Sequence, residues 1–172
     1  MVRIGKRRLK QVIERVEDFG GPLDIATSGT TLTAPSTVVF STHEAISTTG
    51  NCVFTAPLSR YYRVQARCQI STRGHAASAI TNNTQIIFFT TFNVATSAVL
   101  RSDSSFLSFI PPYSATDSYM AYNYINTDFV VFLESGDKIS FEYAALLSPA
   151  SPSSPDTISP EYVEITSIEE FV

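Results

Sequence analysis

The sequence contains few of the residues from which catalytic and metal sites are built. Its 172 residues include two cysteines, two histidines and seven glycines. Two cysteines without Cys-x-x-Cys spacing are too few for a structural zinc site, and seven glycines allow few backbone phosphate cradles. There is also no Gly-x-Ser-x-Gly nucleophile motif. We therefore expect no catalytic, cofactor-binding or metal-binding residues, and a protein that is not an enzyme.

Charged residues make up only 16% of the chain, and they are unevenly placed. Six of the twelve Lys and Arg side chains lie in residues 1–20 with three acids, so this segment is net +3 and the remainder is −7. An acidic body repels phosphate. We therefore expect nucleic acid to be an unlikely partner of the body.

Long apolar runs are also missing, so no membrane span is expected. The first residues lack the uninterrupted apolar stretch of a signal peptide, because charges occur every few positions. This pattern favours a protein that stays inside a cell or leaves it by lysis, for instance as part of a virus particle.

Aromatic and β-branched residues are plentiful, with 12 Phe and 8 Tyr, and this composition favours an all-β fold. In residues 61–70, Tyr62, Val64 and Cys68 alternate with polar or exposed-type residues, as expected for a strand with one buried face. Other strands are predicted at residues 38–41, 51–56, 84–94, 105–110, 117–124, 129–134, 137–146 and 161–168. About nine strands separated by turns predict a β-sandwich or jelly roll.

The predicted strand at residues 84–94 is apolar on both faces. In a small sandwich the outer face of a sheet is normally wet, so an apolar outer face indicates a subunit interface. We predict an interface containing Phe88, Phe89, Phe92, Tyr122 and Tyr124.

The N-terminal segment predicts a helix over residues 1–20, a linker over 21–33 and a head domain over 34–172. Val2, Leu9 and Val16 recur every seven residues, as do Gly5, Val12 and Phe19, which is typical of a short coiled coil. A helix of this length needs a partner surface. Its predicted docking residues are Val2, Leu9, Val12, Val16, Phe19, Arg7 and Arg8, on a helix that docks to another protein such as a capsid protein or that oligomerises.

Polar loops are predicted at residues 73–83, 111–117 and 148–160, the last reading SPASPSSPDTISP. Loops that carry polar and aromatic groups are suited to recognition. We predict that they bind a host surface protein or glycan through Arg73, His75, Pro111, Pro112, Tyr113, Ser153 and Asp156.

For Cys52 and Cys68, the sequence is compatible both with a disulfide and with two buried thiols.

Two motifs occur in order along the chain. The first is Phe54, Ala56, Pro57 and Tyr62 within NCVFTAPLSRYYRVQARC, and the second is Leu133, Gly136 and Asp137 before an alternating strand. Together they resemble the tumour necrosis factor and complement globular-head superfamily. The similarity extends over roughly residues 34–172. It implies a ten-stranded jelly roll that assembles as a compact homotrimer and binds partners through surface loops.

This resemblance and the missing signal peptide lead to one main hypothesis and three alternatives. The main hypothesis is a trimeric virion spike or head-fibre protein on the virion surface, docked to capsid protein through its N-terminus and displaying loops for host attachment. The alternatives are a jelly-roll capsid building block, a secreted trimeric signalling ligand with a glycan at Asn82, and an enzyme on a cupin-like barrel. The last would need a histidine cluster, which is not found in the sequence.

Overall fold

The computed structural model describes residues 9–20, 22–24, 30–74, 84–108, 119–148 and 157–169. Every regular element in this part of the chain is a β-strand. The strands are β1 (Leu9–Glu17), β2 (Leu23–Asp24), β3 (Thr30–Thr31), β4 (Thr37–Ser41), β5 (Val53–Thr55), β6 (Arg60–Gly74), β7 (Thr84–Asn93), β8 (Val99–Ser108), β9 (Tyr119–Leu133), β10 (Lys138–Ser148) and β11 (Thr157–Glu169).

These strands form two antiparallel sheets. The larger sheet has the order β4-β1-β11-β6-β9, and β2 also pairs with β11. The smaller sheet has the order β3-β10-β7-β8, and β5 also pairs with β10. The all-β class predicted from the composition is confirmed.

One apolar core lies between the two sheets. The alternation predicted for β6 is present, because Tyr62, Val64, Ala66, Cys68 and Ile70 are all buried while their neighbours face outward. From the smaller sheet, Ile139 and Phe141 of β10 and Ile87 and Phe89 of β7 enter the same cluster. The inward side chains therefore hold the two sheets together through the hydrophobic effect.

Aromatic contacts order this core. The Phe54 and Tyr62 rings meet edge to face with centroids 5.3 Å apart, and the Phe89 and Phe141 rings stack at 5.9 Å. The buried Tyr62 hydroxyl donates a hydrogen bond to the Leu58 carbonyl at 2.5 Å. Two residues of the Phe54–Tyr62 motif thus pack against each other in the core.

The helix predicted over residues 1–20 is wrong for Leu9–Glu17, which form the strand β1. This strand lies between β11 and β4 and pairs antiparallel with both. Its backbone groups are bonded to neighbouring strands and not within a helix, and an ion pair of 3.0 Å between Arg15 and Glu164 crosses the pairing with β11. Tertiary pairing has overridden the seven-residue spacing.

The predicted docking residues are consequently not on one exposed face. Val16 and Phe19 are buried in the core and cannot contact a capsid protein, while Val12 is half-buried. The backbone of Leu9 pairs with Glu169. Val2, Arg7 and Arg8 lie outside the described residues.

The segment predicted as a linker, residues 21–33, contributes to the sandwich. It contains β2 and β3, and Leu32 is fully buried. The Leu32 N–H donates to the Phe141 carbonyl at 2.7 Å, which ties this segment to β10. The head therefore includes residues on the N-terminal side of position 34.

The buried position of Phe54 generates a stability prediction. Phe54→Ala removes a ring that is fully enclosed and packed on Tyr62, so we expect the free energy of unfolding to fall by about 3–5 kcal/mol. Urea denaturation measures this change. The matched control is Phe40→Ala, whose ring is about half exposed on β4, and a shift within about 0.5 kcal/mol is expected there. Equal losses in the two variants would contradict the assignment of Phe54 to the core.

Candidate functional site

The strands that flank the three predicted recognition loops end together. In the larger sheet, Gly74 pairs with Tyr119 and Ser71 with Thr157; in the smaller sheet, Thr84 pairs with Ser108 and Ser148. The short connection from Leu133 to Lys138 joins the opposite ends of the sheets. The three predicted loops therefore lie between strand ends at one end of the sandwich. The loop predicted at 148–160 ends earlier than predicted, because β11 begins at Thr157.

Six of the seven predicted recognition residues lie outside the described residues, namely His75, Pro111, Pro112, Tyr113, Ser153 and Asp156. The backbone of Arg73 belongs to β6, where it pairs with Met120, so the loop starts later than predicted. The described strand ends show from which end of the sandwich the predicted recognition loops start. The contacts of these loops with a partner remain predictions.

Asp137, the acid of the second family motif, has a structural role in the turn between β9 and β10. Its Oδ2 accepts a hydrogen bond from the Glu134 N–H at 2.8 Å. Gly136 adopts a φ of 95°, which other residues rarely tolerate, and its N–H donates to the Ala56 carbonyl at 2.8 Å. This bond joins the turn to the Phe54–Tyr62 motif.

Among the described residues, no group of three His, Cys, Asp or Glu could hold a metal ion.

Both cysteines are free thiols in the core. Burial raises the pKa of the Cys52 thiol to about 12, and it also raises that of Cys68. Thiolate is the reactive form, so both side chains behave as small apolar groups at neutral pH.

The most conspicuous surface lies on the outer face of β6 and β9, and we call it the aromatic face. It consists of Tyr61, Tyr122, Tyr124, Val130 and Phe132, of which all but Tyr124 are at least half exposed. Tyr61 lies opposite Phe132, with ring centroids 5.2 Å apart. Tyr61, Val130 and Phe132 form a group at one end of this face, and Tyr122 and Tyr124 form a second group at the other end. Exposed groups of large apolar side chains mark interaction surfaces.

Ion pairs occupy the middle of the same face. Arg63 binds Asp128 through two hydrogen bonds, one of them 2.6 Å from Nε to Oδ1. Arg67 contacts Glu161 at 2.8 Å, and its guanidinium lies 4.2 Å from the centroid of the Tyr124 ring. The face is thus a pre-ordered surface with apolar ends and a neutralised polar centre.

The five residues predicted for a subunit interface are divided among three environments. Tyr122 and Tyr124 belong to the aromatic face. Phe89 is only 1% exposed in the core, so its predicted contact with a neighbouring subunit is wrong. Phe88 and Phe92 are half-buried on the outer face of the smaller sheet, on the opposite side of the sandwich. These five side chains therefore cannot form one continuous interface.

Sequence reasoning missed Tyr61, Val130 and Phe132. A signal was present in residues 129–133, FVVFL, which are apolar on both faces of a strand. The structure buries Leu133 and leaves Val130 and Phe132 outside.

A second feature is a buried carboxylate beside β4. Glu14 is 1% exposed, and its Oε2 accepts a hydrogen bond from the Ile46 N–H at 2.7 Å. It lines a cleft of about 550 Å³ together with Val38 and Glu44. Burial raises the pKa of Glu14, the repulsion of Glu44 adds to this, and hydrogen bonds oppose it. Glu14 holds the segment around Ile46 against β1.

Solved structures with similar folds were found, whereas no protein-family model and no curated protein sequence matches the chain. The tumour necrosis factor Eiger from S. frugiperda is 12% identical, with a TM-score of 0.50 over 96% of each chain. The globular domain of zebrafish complement 1qA is 13% identical, with a TM-score of 0.50 over 96% of this chain and 100% of that one. These likenesses support the jelly-roll fold of the tumour necrosis factor and complement type.

No described element is a helix suited to crossing a membrane.

The cysteine environment predicts slow thiol chemistry. Native protein is expected to show no reaction with Ellman's reagent at neutral pH, because burial disfavours the thiolate of Cys52 and Cys68. In guanidinium without reductant, two thiols per chain should react at once. A disulfide would instead give no reactive thiol after unfolding, and an exposed thiol would react in the native state.

Glu14 predicts a pH-dependent contribution to stability. Its folded-state pKa lies above 4.5, so the folded state binds this proton more tightly than the unfolded state does. The contribution of this proton to the free energy of unfolding is fully present below the pKa of Glu14 in the unfolded state. It is lost as the pH rises through the pKa of Glu14 in the folded state. Relative to wild type, Glu14→Gln should therefore gain stability as the pH rises from about 4 to about 7.

Urea denaturation at a series of pH values measures this difference. Glu134→Gln is the control, since Glu134 is exposed and should follow the wild-type profile. Parallel profiles for wild type and Glu14→Gln would contradict a raised pKa.

Proposed function

We propose that this chain is a non-enzymatic homotrimeric recognition protein whose subunits associate through the aromatic face. The exposure of Tyr61, Tyr122, Val130 and Phe132 on one pre-ordered sheet surface carries the proposal. Full burial of a large apolar side chain contributes about 1.5–3 kcal/mol, and these side chains, being about half exposed, can contribute about half of that each on association. A subunit contact over this face would remove most of the large apolar side chains exposed on β6 and β9 from water.

A trimer is favoured over other assemblies by the family resemblance. The Phe54–Tyr62 and Leu133–Asp137 motifs imply a compact trimeric jelly roll, and the similar solved structures agree in fold. A ring of three requires two different complementary patches on each subunit. The aromatic face supplies one of them, and its paired Arg63 and Asp128 fix the register of the contact without leaving a net charge buried.

The role as a secreted trimeric ligand for a receptor is better supported than the role as a virion spike. The virion hypothesis rested on the missing signal peptide and on a basic N-terminal helix that docks to a capsid. Leu9–Glu17 instead form an inner strand of the head, and Val16 is part of its core. A tumour necrosis factor is among the proteins of similar fold. The proposal therefore includes a location outside the cell and a receptor that binds the loops at one end of the sandwich.

Size-exclusion chromatography with light scattering tests the assembly. Wild type should have a mass three times the 18.9 kDa of one chain. Phe132→Glu places a charge in the proposed interface beside Tyr61, so it should dissociate the trimer to monomers while circular dichroism still shows a folded β-protein.

Phe40→Glu is the matched control, because Phe40 is equally exposed but lies on the far edge of the larger sheet. This variant should remain trimeric. A monomeric wild type at micromolar concentration, or a Phe132→Glu variant that stays trimeric, would refute the proposed interface.

A further inference from the structure

The outer face of the smaller sheet contains a cleft of about 460 Å³ that lies opposite the aromatic face. We call it the Phe92 cleft. It is formed across β10, β7 and β5, where Ser140 pairs with both Phe92 and Val53. A volume of this size is within the range of sites for small ligands.

Polar side chains without described protein partners line the cleft together with Phe92. They are Asn51, Ser97, Ser140 and Glu142, whose side-chain oxygen and nitrogen atoms have no hydrogen bond or ion pair to any described residue. Glu142 and Ser140 are half-buried, so part of their hydration is already lost. Unpaired, partly desolvated polar groups are the ones that a ligand can satisfy.

One of the lining groups is held in place by the neighbouring turn. The Asn93 Oδ1 accepts hydrogen bonds from the Ala95 and Thr96 N–H groups at 2.9 and 3.1 Å. The amide oxygen is therefore occupied, and the Asn93 NH₂ group is left as a donor for a ligand.

We propose that the Phe92 cleft binds a neutral saccharide. The C–H face of a pyranose ring packs on an aromatic ring, and its hydroxyls both donate and accept hydrogen bonds. Here Phe92 supplies the apolar platform, Glu142 accepts from sugar hydroxyls, and the Asn51 and Asn93 amides donate to sugar oxygens. This inference rests on the proposed recognition function and names the class of its ligand.

The chemistry of the cleft distinguishes a neutral sugar from other ligands. Among the described residues that line the cleft, Glu142 is the only charged one, so a sialylated or phosphorylated ligand would be repelled. A metal ion would need more than one carboxylate. An extended peptide would need a free strand edge, and β10 and β7 are paired on both sides here.

Saturation-transfer NMR on wild-type protein tests the proposal. The probes are the methyl glycosides of galactose, mannose, N-acetylglucosamine and sialic acid, followed by titration of the strongest binder. At least one neutral glycoside should give a signal and the sialoside none. Phe92→Ala should weaken binding by about fivefold or more. Glu142→Gln should weaken it by about tenfold, because a charged hydrogen-bond acceptor is lost.

The control variants are Phe40→Ala and Glu134→Gln, which remove an exposed aromatic ring and an exposed carboxylate elsewhere. Both should bind as wild type does. The proposal is overturned if no neutral glycoside binds, if only the sialoside binds, or if Phe92→Ala binds like wild type. Short lysine-containing peptides form a second arm, and Phe92-dependent binding of these without any glycoside signal would equally overturn it.

Light scattering on the same samples separates the two proposals. A monomeric wild type with Phe92-dependent glycoside binding would refute the trimer and leave the cleft intact. A trimer without glycoside binding would refute only the cleft.

Discussion

The pairing of β11 with β1 on one side and β6 on the other is the constraint on which the rest of the structure depends. It makes residues from both ends of the sequence neighbours in one sheet, and it places Val16, Val163 and Val64 in one core. On its other side β6 pairs with β9 over its whole length, and the register of that pairing sets which side chains of β9 face outward. A slip of one residue would exchange the aromatic face with the core.

The sequence was sufficient to predict the parts of the fold in which alternation is regular. Residues 61–70 of β6 and 138–143 of β10 are buried at every second position, and both strands were predicted from the sequence. β1 was misassigned because its pairing with β11 shifts register between Val12 and Glu14, so that Ile13 and Glu14 are both buried. A bulge of this kind interrupts the period of two. Without a regular alternation, the clearest pattern in this segment is an apolar spacing of seven residues, which a helix also satisfies. Only the long-range pairing with β11 decides between a helix and a strand.

The interface prediction failed in part for a related reason. Apolarity on both faces of a strand indicates that both faces are covered, but it does not indicate by what. In β7 one apolar face enters the core through Phe89, whereas Phe92 and Phe88 face outward on the smaller sheet. In β9 the same pattern at residues 129–133 marks the aromatic face. Deciding between these strands requires knowing which sheet each strand joins, and that depends on contacts between residues far apart in the sequence.

The two faces of the sandwich therefore suit different tasks. The aromatic face combines large exposed rings with ion pairs that are already formed, so association there needs little side-chain reordering. The Phe92 cleft instead holds polar groups that lack partners and one ring that is partly covered. If subunits associate through the larger sheet, the smaller sheet of each subunit stays on the outside. Three clefts would then be held in fixed relative positions, and the avidity of the assembly would exceed the affinity of any single cleft.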